Sequence, residues 1–223
     1  MSFILNIETA TKNCSVSIAK DGQTIVCNEL ADEGYSHAEK LHVFIEEVIA
    51  KAGISAQDLN AVAVSQGPGS YTGLRIGVSA AKGLCYALNI PLIAVDTLKT
   101  LASQAGVTDG KIIPMLDARR MEVYSAIFNS DLTVERAIQA EIIDENSFQE
   151  YTEKLYFVGD CADKCKSVLT KDNFVFLEDI KYPSAQAMSK ISFEKYQKSD
   201  TVDVAYFEPY YLKDFMIAPP KKQ

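Results

Sequence analysis

Histidine and tryptophan are almost missing from this chain of 223 residues, which has two histidines and no tryptophan. His37 and His42 are five positions apart, so on a helix their side chains would point about 140° away from each other. A helical pair of metal-ligating histidines needs a spacing of three or four. The sequence therefore offers no histidine-based metal site and no convincing Ser/His/Asp or Cys/His catalytic arrangement.

Basic residues are also in deficit. The chain has 22 Lys and Arg against 30 Asp and Glu, which gives a formal net charge of −8. A stand-alone nucleic-acid-binding protein of the usual kind needs a surplus of cations for its phosphate contacts, so this class is excluded. Hydrophobic residues make up 48% of the chain, enough to build a core, which excludes a disordered acidic protein.

Long apolar runs are missing as well, since no stretch approaches the roughly 20 apolar residues that cross a membrane. The five cysteines are an odd number, and the chain opens without a signal-peptide pattern. These features predict a cytoplasmic protein without membrane contact. Cys161 and Cys165 are four apart, but a zinc site would need two further ligands that the neighbouring sequence does not supply.

The hydrophobic pattern predicts an α/β fold. Alternating residues followed by tight turns predict an antiparallel meander of three strands. Helical spacing then begins after Ser36, a capping residue with Glu39 three positions later. A short strand, a second helix and a buried strand follow, so the late strands are expected to be parallel. The strands are predicted at 3–8, 14–20, 23–29, 61–65 and 92–95, and the second helix at about 72–88.

The second half opens in a similar way, with a helix at about 98–105 and then a hairpin of strands at 111–116 and 121–128. No repeat is visible in the sequence itself, so a duplicated fold is only suggested by this order.

Two polar turns could bind phosphate. The turn Glu8-Thr9-Ala10-Thr11 follows the first strand, although an ordinary Thr-rich turn explains it at least as well. The segment from Gly67 to Gly73 lies between a strand and a helix, where backbone N–H groups favour anions. It matches neither a P-loop nor the dinucleotide fingerprint. Anion binding and close packing of the helix on the sheet are about equally good interpretations.

Two other features leave alternatives open. Gly73, Gly77 and Ala81 form a small-residue stripe on the second helix, which predicts close approach by another helix. That helix could belong to the same domain or to a partner protein, and the partner is slightly favoured. The turn Asp117-Ala118-Arg119-Arg120 combines one acid with two guanidinium groups. It could bind an anion, but a structural salt-bridge cluster is the favoured interpretation.

Several of these segments resemble the TsaB family, also called YeaZ, of bacterial tRNA threonylcarbamoyladenosine biosynthesis proteins. The resemblance is strong over residues 1–130 and thin afterwards, where only Glu208-Pro209-Tyr210-Tyr211-Leu212 is similar. The matching segments are Asn6-Ile7-Glu8-Thr9-Ala10-Thr11, Ser65 to Gly77 through the glycine-rich loop, and Asp117-Ala118-Arg119-Arg120-Met121-Glu122-Val123-Tyr124.

The resemblance implies an actin-like ATPase (ASKHA) fold of class α/β with two ribonuclease-H-like lobes. The first lobe would cover residues 1–100 and carry the partner-binding helices. The second would cover 101–223, with the option that the C-terminal segment packs back on the first lobe.

The resemblance also implies a function. The chain would be a non-catalytic subunit required to form the threonylcarbamoyl group on the adenosine 3′ of the anticodon in tRNAs that read codons beginning with A. It would bind and activate the metal-bearing transferase TsaD together with the ATPase TsaE. ATP and the metal ion would belong to those partners, so this chain would require no cofactor and would meet tRNA only indirectly. An H-x-E-x-H-type ligand pair, expected of TsaD, is absent here.

The same family resemblance assigns residues. The partner surface would be formed by the two helices of the first lobe, and alone the chain could form a homodimer through the same seam. The assigned partner-binding residues are Ser36, His37, Leu41, Ile45, Tyr71, Thr72, Gly73, Leu74, Arg75, Gly77 and Ala80. A vestigial nucleotide site would use Glu8, Thr9 and Thr11, and no residue is assigned to catalysis or metal binding. The alternatives are an actin-like ATP-dependent kinase and a metalloprotease-like protein, the latter disfavoured by its missing ligands.

Overall fold

The computed structural model describes residues 1–31 and 37–212, with the backbone alone at residue 162. Two five-stranded mixed sheets and the helices that cover them account for most of these residues, which confirms the predicted α/β class. In chain order the elements are β1 (Phe3–Glu8), β2 (Asn13–Lys20), β3 (Gln23–Ala31), α1 (His37–Lys51), β4 (Leu59–Gly67), α2 (Tyr71–Leu88), β5 (Leu92–Asp96), α3 (Thr97–Ser103), β6 (Lys111–Asp117), β7 (Glu122–Asn129), β8 (Val134–Ile142), β9 (Leu155–Val158), α4 (Ala162–Cys165), β10 (Phe174–Phe176) and α5 (Ala185–Gln197).

The first sheet has the strand order β3-β2-β1-β4-β5. Strands β1, β2 and β3 form the predicted antiparallel meander, with Ile7 opposite Val16. Strands β4 and β5 then add in parallel, with Leu5 of β1 opposite Val62 of β4. The parallel pairs arise because each connection crosses over through a helix, α1 before β4 and α2 before β5.

The second sheet repeats this topology in the order β10-β9-β6-β7-β8. Strands β6, β7 and β8 are an antiparallel meander, and β9 and β10 continue the sheet in parallel. The two halves of the chain are therefore built on the same plan, as the similar openings of the two halves suggested.

Helices cover both faces of the first sheet. Because side chains alternate along β1, Leu5 and Ile7 pack with α1 and α2, whereas Ile4 packs with α5 on the opposite face. Helix α5 follows the second sheet in sequence, so the lobe built on the first sheet contains two separate stretches of chain. The segment after α5 also lies on this lobe, since the Val202 N–H donates to the Leu92 carbonyl oxygen over 2.9 Å.

The sequence pattern places most early elements within about two residues of their observed bounds. It does not delimit β8, β10 or α5, which it leaves in regions of mixed character. The predicted helix-capping residue Ser36 lies outside the described residues.

Candidate functional site

The glycine-rich loop between β4 and α2 is docked onto the loop between β1 and β2. The Ser70 N–H donates to the Ala10 carbonyl oxygen over 2.7 Å, and the Ser70 hydroxyl caps α2 by accepting from the Gly73 N–H at 3.3 Å. A Cβ atom on Gly69 would lie 2.4 Å from the Ala10 carbonyl oxygen. Close packing of the helix on the sheet therefore accounts for this glycine.

Two members of the small-residue stripe of α2, Gly73 and Gly77, face the same loop. A Cβ atom on Gly73 would lie 2.1 Å from the Thr9 carbonyl oxygen, and one on Gly77 would lie 2.2 Å from Thr9 Oγ1. The expectation that Gly73 and Gly77 face another helix is therefore wrong, because the neighbour they admit is Thr9 of the same chain. Leu41 and Leu74 are likewise buried inside the first lobe and line no open surface.

An open groove does lie between α1 and α2. It has a volume of about 610 Å³ and brings together Ile45, Arg75 and Ala80 from the predicted partner-binding set. Six further residues complete it, and these were not assigned from the sequence: Ala38, His42, Ile76, Ser79, Gly83 and Leu84. Small side chains at 38, 79, 80 and 83 keep the groove open. The helical spacing of these residues in the sequence could have indicated the groove.

The remaining predicted helix residues lie outside this groove. His37 is buried and its Nε2 donates to the Thr11 carbonyl oxygen over 2.8 Å, which ties the start of α1 to the β1–β2 loop. Burial lowers the pKa of His37, and the hydrogen bond to Thr11 opposes this only in part. Thr72 is exposed at the start of α2, and Tyr71 lines a different cavity described next.

A cleft of about 890 Å³ separates the two lobes. One wall contains Thr11, Lys12 and the start of α2, and the other contains the β6–β7 hairpin with Asp160 and Lys164. Lys164 makes an ion pair with Asp117 and donates to the Arg120 carbonyl oxygen over 2.6 Å. Burial raises the pKa of Asp160, whose Oδ1 accepts from the Asp117 N–H over 3.0 Å.

The three residues assigned to a vestigial nucleotide site are not equivalent. Thr11 lines the cleft, whereas Glu8 and Thr9 are buried behind Ala10 and do not. Glu8 Oε1 accepts from the Ala10 N–H over 2.6 Å, and Oε2 has no hydrogen-bond partner among residues 1–31 and 37–212. Burial raises the pKa of Glu8 to about 7, although hydrogen bonds from Ser65 and Ala10 oppose the shift.

The segment after α5 closes the end of the cleft. The Tyr210 N–H donates to the Gln66 carbonyl oxygen over 2.7 Å, and the rings of Tyr71 and Tyr211 have centroids 4.9 Å apart. The Arg75 guanidinium lies 5.4 Å from the Tyr71 ring centroid and donates to its hydroxyl. Tyr71 thus lines the cleft while its partner Arg75 lines the groove, so the two cavities meet here.

Within the described parts of the chain, no cluster of three or more His, Cys, Asp or Glu side chains has the arrangement of a metal site. No helix within residues 1–31 and 37–212 is both long and apolar enough to span a bilayer.

Residues 29–214 match the family model described as TsaD, tRNA N6-adenosine threonylcarbamoyltransferase. The tRNA threonylcarbamoyladenosine biosynthesis protein TsaB of Escherichia coli is 32% identical over 95% of this chain and 94% of its own length. The chain belongs to the TsaB family. A second TsaB, from Haemophilus influenzae, is 27% identical over 95% of this chain and 93% of its own length.

Solved structures share the fold of this chain. YeaZ from Pseudomonas aeruginosa superimposes with a TM-score of 0.84 over 95% of this chain and the whole of that one, at 22% identity. An activator of 2-hydroxyisocaproyl-CoA dehydratase from Clostridium difficile, solved with bound ADPNP, superimposes with a TM-score of 0.51 at 8% identity, over 89% of this chain and 96% of that one. The predicted actin-like ATPase fold with two lobes is confirmed for this TsaB family member.

Proposed function

We propose that this chain is a non-catalytic subunit that binds the transferase TsaD through the groove between α1 and α2. Its TsaB relatives are named for tRNA threonylcarbamoyladenosine biosynthesis, and the chain takes part in that pathway. The finer proposal is that it activates TsaD together with the ATPase TsaE, and that tRNA reaches this chain only through the complex. We place this role in the cytoplasm.

The groove is the observation that carries the proposal. It is open to solvent, lined mostly by small and apolar residues, and framed by two helices that pack on the same sheet. Its floor contains Ile45 and Ile76, and its rim offers Arg75 as a single guanidinium group. Such a surface accepts the ridge of another helix, with the arginine available to a carboxylate or carbonyl group of the partner.

The relation to the transferase family supports the choice of partner. The tRNA N6-adenosine threonylcarbamoyltransferase of Bacillus subtilis is 37% identical to this chain over 108 residues, which are 42% of this chain and 31% of that protein. A transferase with a related lobe would present a related pair of helices. Two such pairs can pack face to face around a pseudo-twofold axis, and the same geometry explains how a homodimer could form when the partner is absent.

We further propose that this role requires no cofactor in the chain and that ATP and the metal ion act in the partners. The turn after β1 supports this, because Glu8 and Thr9 are buried and the Thr9 hydroxyl donates to the Gly73 carbonyl oxygen over 2.8 Å. A phosphate group could not reach these side chains without displacing the start of α2.

Gly83→Leu tests the groove directly. Gly83 lies in the groove and has no other atom within 4 Å of an added Cβ, so leucine adds bulk to the docking surface without an internal clash. Leucine is also a better helix former than glycine by up to about 1 kcal/mol, so the free energy of unfolding should not fall. We expect at least a tenfold loss of affinity for TsaD in a titration followed by size-exclusion chromatography. Lys190→Leu, which adds a leucine on α5 outside the groove, is the matched control.

The functional assay combines tRNA, threonylcarbamoyl-adenylate, TsaD and TsaE with and without this chain, and measures the modified adenosine by nucleoside chromatography. We expect modification to depend on the chain, to fall with Gly83→Leu and to persist with Lys190→Leu. Full modification without the chain would refute the activating role. Undiminished binding of Gly83→Leu would refute the groove as the docking surface.

A further inference from the structure

The segment after α5, residues 198–212, runs along α2, the helix that forms one wall of the groove. The Lys82 ammonium group donates to the carbonyl oxygens of Ala205 and Phe207 at 2.9 and 3.1 Å. The Phe207 side chain packs against the core of the first lobe. Lys82 lies seven positions after Arg75, so two helical turns place both residues on the same side of α2. The segment is therefore fastened to the side of α2 that carries Arg75.

The backbone of this segment is seated on the loop before α2. The Tyr210 N–H donates to the Gln66 carbonyl oxygen over 2.7 Å. The Tyr210 carbonyl oxygen lies 2.6 Å from the position of a Cβ atom on Gly67, whose φ of 113° favours glycine. A larger residue than glycine would not admit the backbone this closely. The position of the next residue, Tyr211, is therefore set by backbone contacts at Tyr210.

Tyr211 connects the segment to Arg75. The rings of Tyr211 and Tyr71 have centroids 4.9 Å apart and are tilted by 36°. One turn further along α2, the Arg75 guanidinium lies 5.4 Å from the Tyr71 ring centroid and donates to the Tyr71 hydroxyl over 3.2 Å. Burial raises the pKa of Tyr211, and the positive charge of Arg75 opposes this shift, as expected for two groups that lie close together. The three side chains thus form one continuous cluster.

Arg75 depends on this cluster because it is exposed. A free arginine side chain samples many rotamers, and ordering it during binding costs conformational entropy. Among the described residues, no carboxylate forms an ion pair with Arg75. Of the described residues that line the groove, Arg75 alone carries a permanent positive charge. Its orientation therefore decides where the groove can bind a carboxylate.

We propose that Tyr211 is a positioning residue for partner docking: through Tyr71 it holds Arg75 in the orientation in which the guanidinium group binds a carboxylate on the partner helix. This inference rests on the proposed docking of TsaD in the groove, and it adds the segment after α5 to that site. A guanidinium group held in one plane offers paired N–H donors that match a carboxylate. Because the arginine is ordered before the partner arrives, less entropy is lost on binding.

The order of Arg75 can be measured without any partner. The full-length chain has four arginines, so its Nε–H signals are few, and the spectrum of Arg75→Ala identifies the one that belongs to Arg75. We expect nitrogen-15 relaxation to show a rigid Nε–H group in the wild type and a mobile one in Tyr211→Leu, which removes the ring and keeps apolar bulk. Tyr211→Phe keeps the ring and should keep the order. Tyr206→Leu, which removes an 86% exposed tyrosine of the same segment, is the matched control.

Affinity for TsaD tests the consequence for docking. We expect Tyr211→Leu to weaken binding about three- to tenfold, the range for ordering one side chain on association. Tyr211→Phe and Tyr206→Leu should bind as the wild type does. In an Arg75→Ala background, Tyr211→Leu should have no further effect, because the residue that it positions is gone. A merely structural role of Tyr211 would weaken binding equally in both backgrounds.

Three results would overturn the inference. They are an Arg75 signal equally mobile in the wild type and Tyr211→Leu, an undiminished affinity of Tyr211→Leu for TsaD, and an equal loss of affinity in the two backgrounds. When the wild-type chain binds TsaD, each of these results rejects the role of Tyr211 and leaves the proposed function standing. A wild-type chain that does not bind TsaD refutes the proposed function and this inference with it.

Discussion

The hydroxyl group of Thr9 donates a 2.8 Å hydrogen bond to the carbonyl oxygen of Gly73. Thr9 also contacts the next turn of α2, since its Oγ1 lies 2.2 Å from the position of a Cβ atom on Gly77. A glycine inside a helix costs up to about 1 kcal/mol relative to alanine. The close approach of Thr9 offsets this cost at Gly73 and Gly77. It ties α2 to the loop after β1 and buries Glu8 behind that loop.

Gly77→Ala should destabilise the protein because its new methyl group would overlap Thr9 Oγ1. We expect the free energy of unfolding to fall by about 1 to 3 kcal/mol, the usual cost of overpacking in a well-packed core. Gly83→Ala, on the same helix but facing open space, should instead raise it by up to about 1 kcal/mol through helix propensity. Urea denaturation followed by circular dichroism measures both variants. Equal stability of Gly77→Ala and Gly83→Ala would show that contact with Thr9 does not destabilise Gly77→Ala.

A double variant separates the overlap from a general effect on the helix. Thr9→Ala removes the hydroxyl group, and the remaining Thr9 Cβ lies 3.4 Å from the new position on Gly77, a contact that neighbouring atoms can accommodate. Gly77→Ala should therefore cost less in the Thr9→Ala background than in the wild type. An unchanged cost in both backgrounds would place the strain elsewhere in α2.

The strands and the first two helices could be predicted because their apolar residues repeat with periods of two and 3.6. The direction of the glycine stripe could not be predicted in the same way. Glycine has no side chain whose polarity would show whether it faces a partner or the core. The sequence thus indicated a close approach at Gly73 and Gly77, and only the structure shows that Thr9 is the neighbour.

Helix α5 was not predicted from the sequence, for a different reason. Its buried face includes Ser189 and Ser192 beside Met188 and Ile191, so the apolar repeat is interrupted by polar residues. Ser192 is satisfied by a buried asparagine on β1, 186 positions earlier in the chain, and Ser189 by Thr24 on β3 and by the same asparagine. A periodicity argument cannot anticipate such a pairing, because each half of it looks like an exposed position.

Asn6 is that asparagine, and Asn6→Ala should loosen the contact between α5 and the first sheet. The Asn6 Oδ1 accepts from the Ser192 hydroxyl over 2.6 Å, and its Nδ2 donates to the Ser17 hydroxyl over 3.2 Å. Alanine would leave both hydroxyl groups buried with fewer partners, at an expected cost of about 2 to 3 kcal/mol in the free energy of unfolding. Asn28→Ala, which removes hydrogen bonds nearer the surface, should cost less than about 1 kcal/mol. Thermal denaturation compares the two, and a similar fall in melting temperature for both would argue against the Asn6 network.

The interlobe cleft was also only partly visible in the sequence. The sequence indicated the glycine-rich loop and the β6–β7 turn, which line the cleft. The position of the segment after α5 depends on long-range contacts that no local pattern encodes, and Lys82 makes one such contact. It lies on α2, and its ammonium group donates to the carbonyl oxygens of Ala205 and Phe207 at 2.9 and 3.1 Å.

Lys82→Met should release this segment while keeping most of the apolar stem of the side chain. Tyr206, between the two acceptors, is 86% exposed and is a suitable cleavage site for chymotrypsin. We expect cleavage after Tyr206 to become several-fold faster, because local opening exposes the backbone more often. Lys40→Met, on the exposed face of α1, serves as the control. Mass spectrometry of the early fragments gives the rate, and unchanged cleavage after Tyr206 would mean that other contacts hold the segment.

Glu8→Gln should make stability less dependent on pH. Burial raises the pKa of Glu8 to about 7 in the folded chain, above its ordinary value of 4.5, so the folded state holds its proton more tightly than the unfolded state does. Stability from this group is therefore fully present below about pH 4.5 and is lost as the pH rises through about 7.

Over that window the loss approaches about 3 kcal/mol as an upper bound, from 1.36 kcal/mol for each unit of pKa. Glutamine cannot ionise, so the stability of the variant relative to the wild type should be lowest at pH 5 and rise steadily towards pH 8. Asp96, whose pKa burial raises to about 6, changes stability in the same direction but is present in both proteins and cancels in the comparison. Urea denaturation at pH 5, 6, 7 and 8 gives the difference in unfolding free energy. A difference that stays constant across these four values would mean that Glu8 ionises as readily in the folded chain as in the unfolded one.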